Sequence, residues 1–290
     1  MPVTATPADL SEDGKAIARA VIDQRKSGNL EVPLLPEVAS KVIALSQDTE
    51  SDAVDLAQLI QSDPSLAAHV MRIANSAAYS PNATLVSLQQ AITRLGMNLI
   101  GDIAVAASIN TKMFKAPGYE QRIADTWKHA LATGLWAKEI ARQCRINVEA
   151  TFLCGLLHSI GRPVTLQASC DEAEKQQLQL TQDDAITLEE LLNLSVGLCV
   201  LKAWEMPLII CEALKYFHDY QNAPHAVEQT QVVHAAACFA HHMLDPETTP
   251  KDSLLALEVL ADLNLYQDEV QDLLDKRDDV YSTMETMSES

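Results

Sequence analysis

Leu59-Ile60-Gln61-Ser62-Asp63-Pro64-Ser65-Leu66 leads through Arg72-Ile73-Ala74-Asn75-Ser76-Ala77-Ala78-Tyr79 to Ala91-Ile92-Thr93-Arg94-Leu95-Gly96, and this stretch decides the reading of the fold. Asp63-Pro64 is a helix start: the carboxylate can accept from free backbone amides, and proline suits a first-turn position where no amide hydrogen is needed. The spacing predicts a helix from there to about Asn75, with Leu66, Val70, Met71 and Ile73 on its buried side. The loop Ser80-Pro81-Asn82 then closes the segment.

Working outward, the same periodicity predicts helices over 36–45, with Val38, Val42 and Leu45 on one face, and over 52–60, with Leu56, Leu59 and Ile60. A helix pair is expected through Ile92, Leu95, Ile100 and Val105, and an amphipathic leading helix from Ala8 to about Arg25 ends in the loop Ser27-Gly28-Asn29. Pro117-Gly118 is the clearest internal break. Beyond it, residues 119–145 carry Trp127, Leu131, Leu135 and Ile140 at near-helical spacing. Residues 148–160 are apolar on more than one side, which predicts a central helix stopped by Gly161 and Pro163. Thr187-Leu188-Glu189-Glu190 reads as a capping box, giving Glu190 a structural role. Further helices are expected over 187–203, 207–220, 226–244 and 253–261, followed by a polar, acidic helix and tail. No alternating strand pattern of useful length occurs, so the fold class is all-α.

Composition narrows the function classes. Hydrophobic residues are 48% of the 290, as in a folded globule. The 40 acidic against 21 basic side chains give a net charge of -19, which argues against nucleic acid as the main partner. No run approaches the ~18 apolar residues of a membrane span, and Met1 to Gly14 lacks a signal-peptide pattern, so a cytoplasmic location without membrane attachment is expected. The six cysteines form no C-x-x-C pair and read as reduced, structural thiols. No phosphate-loop, dinucleotide, nucleophile-elbow or H-E-x-x-H pattern is present, and no cofactor is implied by motif.

The four elements Leu35-Pro36, Asp63-Pro64-Ser65-Leu66, Asn75-Ser76-Ala77-Ala78-Tyr79 and Ala91-Ile92-Thr93-Arg94-Leu95-Gly96 occur in the order found in the HDOD family of bacterial signalling modules, which the chain resembles. A second set, Trp127-Lys128-His129, Gly155-Leu156-Leu157-His158-Ser159-Ile160-Gly161, Trp204-Glu205-Met206-Pro207 and Phe217-His218, follows the same family. The resemblance covers roughly residues 30 to 245. It implies a helical N-terminal lobe over 30–116 packed on an HD-like lobe over 117–245, with a leading helix and loop over 1–29 and C-terminal helices and an acidic tail over 246–290.

Active HD-type relatives hold divalent metal with histidines and a His-Asp pair. The resemblance places Ser159 where that aspartate stands, Asn193 at a position often histidine, Phe217-His218 in place of a His-His pair, and Ala237 near a late aspartate. It leaves His129, His158 and His218 as the surviving metal-site residues, either as core histidines or as an eroded site with room for a residual divalent metal. His234, His241 and His242 share one predicted helix and read as a solvated or partly packed face, and Trp127, Trp136 and Trp204 as core packing.

The leading expectation is a non-catalytic regulatory module acting through protein partners, with homo-oligomerisation left open. Asp63, Pro64, Asn75, Ser76 and Tyr79 are its candidate interaction positions, although capping alone explains Asp63 and Pro64. The rivals are a metal-dependent phosphohydrolase of nucleotides or cyclic dinucleotides using His129, His158 and His218, and a sensor that binds a nucleotide-like ligand without cleaving it.

Overall fold

The structure is a computed structural model that describes residues 5–47, 51–76, 79–80, 85–109 and 111–288. Ala77, Ala78, Pro81 and Asn82 of the sequence motifs lie outside the described residues. Helices account for all the regular structure, and no strand occurs among the described residues. After a leading helix α1 (Glu12–Ser27), the N-terminal half comprises α2 (Glu37–Gln47), α3 (Ala53–Gln61), α4 (Pro64–Ala74), α5 (Leu88–Leu95) and α6 (Met97–Ser108). The second half comprises α7 (Glu120–Cys144), α8 (Val148–Leu157), α9 (Gly161–Gln176), α10 (Gln182–Ala203), α11 (Leu208–Lys215) and α12 (Val227–Leu244). Four short helices follow: α13 (Lys251–Leu255), α14 (Glu258–Asp262), α15 (Gln267–Leu274) and α16 (Arg277–Ser288).

The start of α4 follows the expected chemistry. The Asp63 carboxylate accepts from the amides of Ser65 (3.0 Å) and Leu66 (3.1 Å), with Pro64 in the first turn. Around it, α2 to α5 pack on α6, which is buried at every position from Ile100 to Ala106 and therefore sits at the centre of this half. A buried ion pair, Lys138 Nζ to Asp102 Oδ2 at 2.6 Å, ties α6 to α7. Burial nevertheless pushes the Asp102 carboxyl up to about 6, against the pull of Lys138.

In the second half, α7 packs against α8 and α12, and α9 against α10. The side chains of Trp136, Phe152 and Phe239 are the largest in this core, with the Trp136 and Phe239 rings 5.1 Å apart. Trp136 and Trp204 are buried and none of the three tryptophans lines the large cavity described below, as the packing reading expected. The six cysteines are free thiols.

Several local expectations need correction. Gly161 and Pro163 do not stop a helix; they open α9, because proline in a first turn removes only an amide that has no partner there. The reading over 187–203 starts too late, since α10 begins at Gln182 with Thr181 as its cap, the Thr181 hydroxyl accepting from the Asp184 amide at 3.1 Å. Thr187 to Glu190 are therefore helix interior and form no capping box. Residues 253–261 split into α13 and α14, and the acidic C-terminal part is packed structure: Val280, Met284 and Met287 of α16 are buried against α7 and α6.

The leading helix docks on the second half. Asp184 of α10 accepts from both the amide (2.8 Å) and the hydroxyl (2.7 Å) of Ser11, and Gln24 donates to Glu172 of α9 at 2.5 Å.

Gly161 meets α10 backbone to backbone: a Cβ there would fall 2.0 Å from the Asn193 carbonyl oxygen. Helix propensity alone favours Gly161→Ala by about 1 kcal/mol. The contact reverses that sign, and we expect Gly161→Ala to lower stability by about 1–3 kcal/mol in chemical denaturation, since only a shift of backbone can relieve the clash.

Candidate functional site

A cavity of about 860 Å³ opens where α7, α9, α10 and α12 meet the turn before α7 and the segment after α11. Its wall includes His129 from α7, His158 and Ser159 from the α8–α9 junction, Arg162 from α9, Glu190 and Asn193 from α10, Phe217 and His218 after α11, and His234, Ala237 and His241 from α12. All six positions picked out by the altered metal motif, His129, His158, Ser159, Asn193, Phe217 and His218, line this one cavity, and so does Ala237. His158 and Ser159 are buried at its floor, whereas His218 and His241 are exposed at its edge.

The imidazoles are held neutral. Nδ1 of His158 lies 2.6 Å from the Gly155 carbonyl, so it carries the proton and donates. Burial pushes the His158 ring down to about 4, with the Arg162 charge acting in the same direction. His129 is held well below the ordinary histidine range, first by burial and then by His241 and His158. The His129 ring centroid lies 4.1 Å from that of His241 and 5.6 Å from that of His158, and its Nε2 is buried without a hydrogen-bond partner among the described residues. His234 donates from Nδ1 to the Phe217 carbonyl at 2.9 Å. His129, His158 and His218 therefore share a cavity without converging: among the described residues, no three His, Cys, Asp or Glu side chains are grouped to hold a metal ion.

Two arginines enter the wall. Arg122 is engaged, its Nε (2.8 Å) and Nη2 (2.5 Å) both donating to Glu189 Oε2. Arg162 makes no side-chain hydrogen bond or ion pair with the described residues. Burial lowers its pKa, Glu189 and Glu190 oppose that, and the guanidinium stays charged at neutral pH.

The N-terminal motif residues lie apart from this cavity. Asn75 closes a clasp across ten residues: Oδ1 accepts from the Leu85 amide at 2.6 Å, while Nδ2 donates to the carbonyls of Leu85 and Met71, each at 3.0 Å. Tyr79 reaches α16, its hydroxyl 3.8 Å from Met287 Sδ, and Ser76 Oγ is buried without a partner among the described residues.

A family model described as the HDOD domain matches residues 32–220 of this helical chain. The chain belongs to the HDOD family. Among solved structures, a protein of Shewanella amazonensis described as a proposed metal-dependent phosphohydrolase shares the fold at a TM-score of 0.73 and 20% identity, over 96% of this chain and 100% of its own. An HDOD domain protein of unknown function from Geobacter sulfurreducens gives 0.71 and 21%, over 94% and 97%. A proposed signal transduction protein from Marinobacter aquaeolei gives 0.68 and 23%, over 99% of this chain and 68% of its own. An uncharacterized protein of Treponema pallidum is 22% identical over 229 residues, and the matched region spans 74% of this chain and 43% of that protein's length. Identities at this level establish the shared fold. Among the described residues, no helix is long and apolar enough to cross a membrane.

The HDOD cavity also recruits residues to which the sequence reading gave other roles or none. His234 and His241, seven apart on α12, face the cavity and not solvent alone, and Glu190 is a wall residue, not a cap. Arg162 had a usable signal, since it follows Gly161 one turn after His158, and a charged side chain at the edge of an apolar run marks a site. Arg122 and Asp125 carried none: their spacing is that of any solvated helix face.

Because His158 is neutral in the folded state, its folded pKa of about 4 lies below the ordinary 6.5. The unfolded chain then binds the extra proton, so this group's contribution is fully present above 6.5 and is lost as pH falls towards about 4. We expect the denaturation midpoint to fall across that window, and His158→Gln to flatten the dependence. Asn75→Ala should cost about 1–3 kcal/mol in the same measurement, because it leaves the Leu85 amide and carbonyl unpaired.

Proposed function

We propose that this HDOD protein is a non-catalytic regulatory module whose output is contact with protein partners. The observation that carries this reading is the composition of the cavity. Where an HD-type hydrolase needs a carboxylate beside its histidine, the floor holds the Ser159 hydroxyl, and the Arg162 guanidinium stands in the same wall. Hard divalent metals favour anionic oxygen ligands, and a fixed positive charge opposes a dication. The residues present do not fit a catalytic metal, and no hydrolytic step is derived through one.

Leu34 is 90% exposed beside a fixed backbone, the neighbouring Pro33 carbonyl accepting from the Trp204 indole at 2.7 Å; a single exposed leucine is ordinary on a protein surface. The Asp63, Pro64 and Asn75 side chains are occupied by capping and by the clasp, so their part in signalling is to hold the N-terminal half in shape. Six free thiols and the acidic charge accord with a cytoplasmic location and with partners other than nucleic acid.

Metal content and turnover test the reading together. We expect tag-free protein, purified without chelator and then reconstituted with Mn²⁺ or Mg²⁺, to hold no stoichiometric metal by mass spectrometry. It should also hydrolyse phosphoesters no faster than its His129→Ala variant. A near-stoichiometric metal that disappears in His129→Ala, together with turnover, would establish the phosphohydrolase reading instead.

A further inference from the structure

The cavity retains a charged, partly occupied hydrogen-bonding wall that a purely structural relic does not require. In a chain of net charge -19, its walls carry two arginines against two carboxylates, Asp125 and Glu190. Arg122 is committed to Glu189, while Arg162 has no partner among the described residues. Two further polar atoms of the wall, His129 Nε2 and Asn193 Oδ1, are buried and equally unpartnered. Buried polar groups in folded proteins are paired almost without exception, so two buried unpartnered atoms beside a half-buried guanidinium in one cavity mark a place where something else supplies the partners. A volume of about 860 Å³ lies within the range that encloses small organic ligands.

We propose that the cavity binds, without metal, a small organic phosphate whose body carries hydroxyl or amino donors. The planar guanidinium of Arg162 presents paired N–H donors that match phosphoryl oxygens. The neutral rings of His158 and His234 commit their Nδ1 protons to backbone carbonyls, so their Nε2 atoms are acceptors suited to hydroxyl or amino groups of the body. At the outer side, Asp125 is exposed and Glu190 half-buried, and these carboxylates accept from the hydroxyl or amino groups of the body. The same carboxylates repel a bare polyanion, so the site selects an ester over inorganic phosphate. The Phe217 ring, 5.3 Å from the His158 ring and 4.8 Å from that of His218, gives the body an aromatic surface. This inference rests on the non-catalytic reading only in requiring no metal, and the ligand is bound without any bond being broken.

Titration calorimetry on the full chain in EDTA, with adenosine monophosphate, ribose 5-phosphate, inorganic phosphate and adenosine as probes, tests the site. At least one phosphate ester should bind, adenosine should bind at least tenfold more weakly, and Arg162→Gln should lose at least tenfold in ester affinity, with Arg162→Lys, which keeps the charge but not the paired donors, falling between Gln and the unaltered protein. Thermal melting establishes that each variant is folded, and Asp125→Asn, at the exposed edge, supplies a second variant that should bring inorganic phosphate closer to the ester. Equal binding of adenosine, no ester binding at millimolar concentration, or unchanged affinity in folded Arg162→Gln would each overturn the proposal. Binding seen only after Mn²⁺ is added would overturn metal-free recognition, and hydrolysis of the bound ester would overturn the non-catalytic reading while leaving the phosphate site in place.

Discussion

Backbone-to-backbone contact between helices is the constraint from which the second half of this protein is built. Gly134 of α7 and Gly155 of α8 meet so closely that a Cβ at Gly155 would fall 2.8 Å from the Gly134 Cα. Gly161 of α9 and Gly197 of α10 form the equivalent crossing. Each pair gives up helix propensity for an approach that no other residue allows. His129 lies five residues before the first contact, and His158, Ser159 and Arg162 lie between or beside the two. The crossings therefore set where the cavity wall falls, and the side chains follow from their positions along helices already locked together.

That wall shows how charge is managed where the helices meet. Buried imidazoles stay neutral because burial penalises their charged form, and the neighbouring Arg162 penalty has the same sign. Arg162 keeps its charge, which the fields of Glu189 and Glu190 favour against the cost of burial. The N-terminal half solves the same problem differently. There, Lys138 and Asp102 form a closed pair between α6 and α7, and burial outweighs the lysine at the carboxylate. The cost of burying both charges offsets much of what such a pair adds to stability.

The Asp-Pro and Asn-Ser-x-x-Tyr motifs illustrate the difference between reading a position and reading its role. Asp63-Pro64 was legible because capping is local: donor and acceptor lie within three residues, so the chemistry is written in the sequence. The clasp of Asn75 on Leu85 and the reach of Tyr79 to Met287 join residues 10 and 208 apart, and no periodicity encodes them. Both positions were selected by family likeness, and their contacts within the fold became visible only in the structure. Proline and threonine misled at the α9 and α10 starts for the same reason. A first-turn proline and a helix-stopping proline look identical until the partner helix is in place.

The sequence by itself determined that this chain is all-helical, acidic and of the HDOD family, and it singled out His129, His158, Ser159, Asn193, Phe217 and His218. Those features depend on local spacing and on residue identity, which survive without a folded partner. Tertiary structure alone decided that these six residues share one cavity, that His234, His241 and Glu190 join them, and that the Arg162 side chain has no hydrogen-bond partner among the described residues. It also decided that the leading helix and the acidic C-terminal helices belong to the packed body. The physical reason is that a cavity is a property of helix crossings, and crossings here are set by glycine contacts between segments that the sequence separates by about 20 to 40 residues.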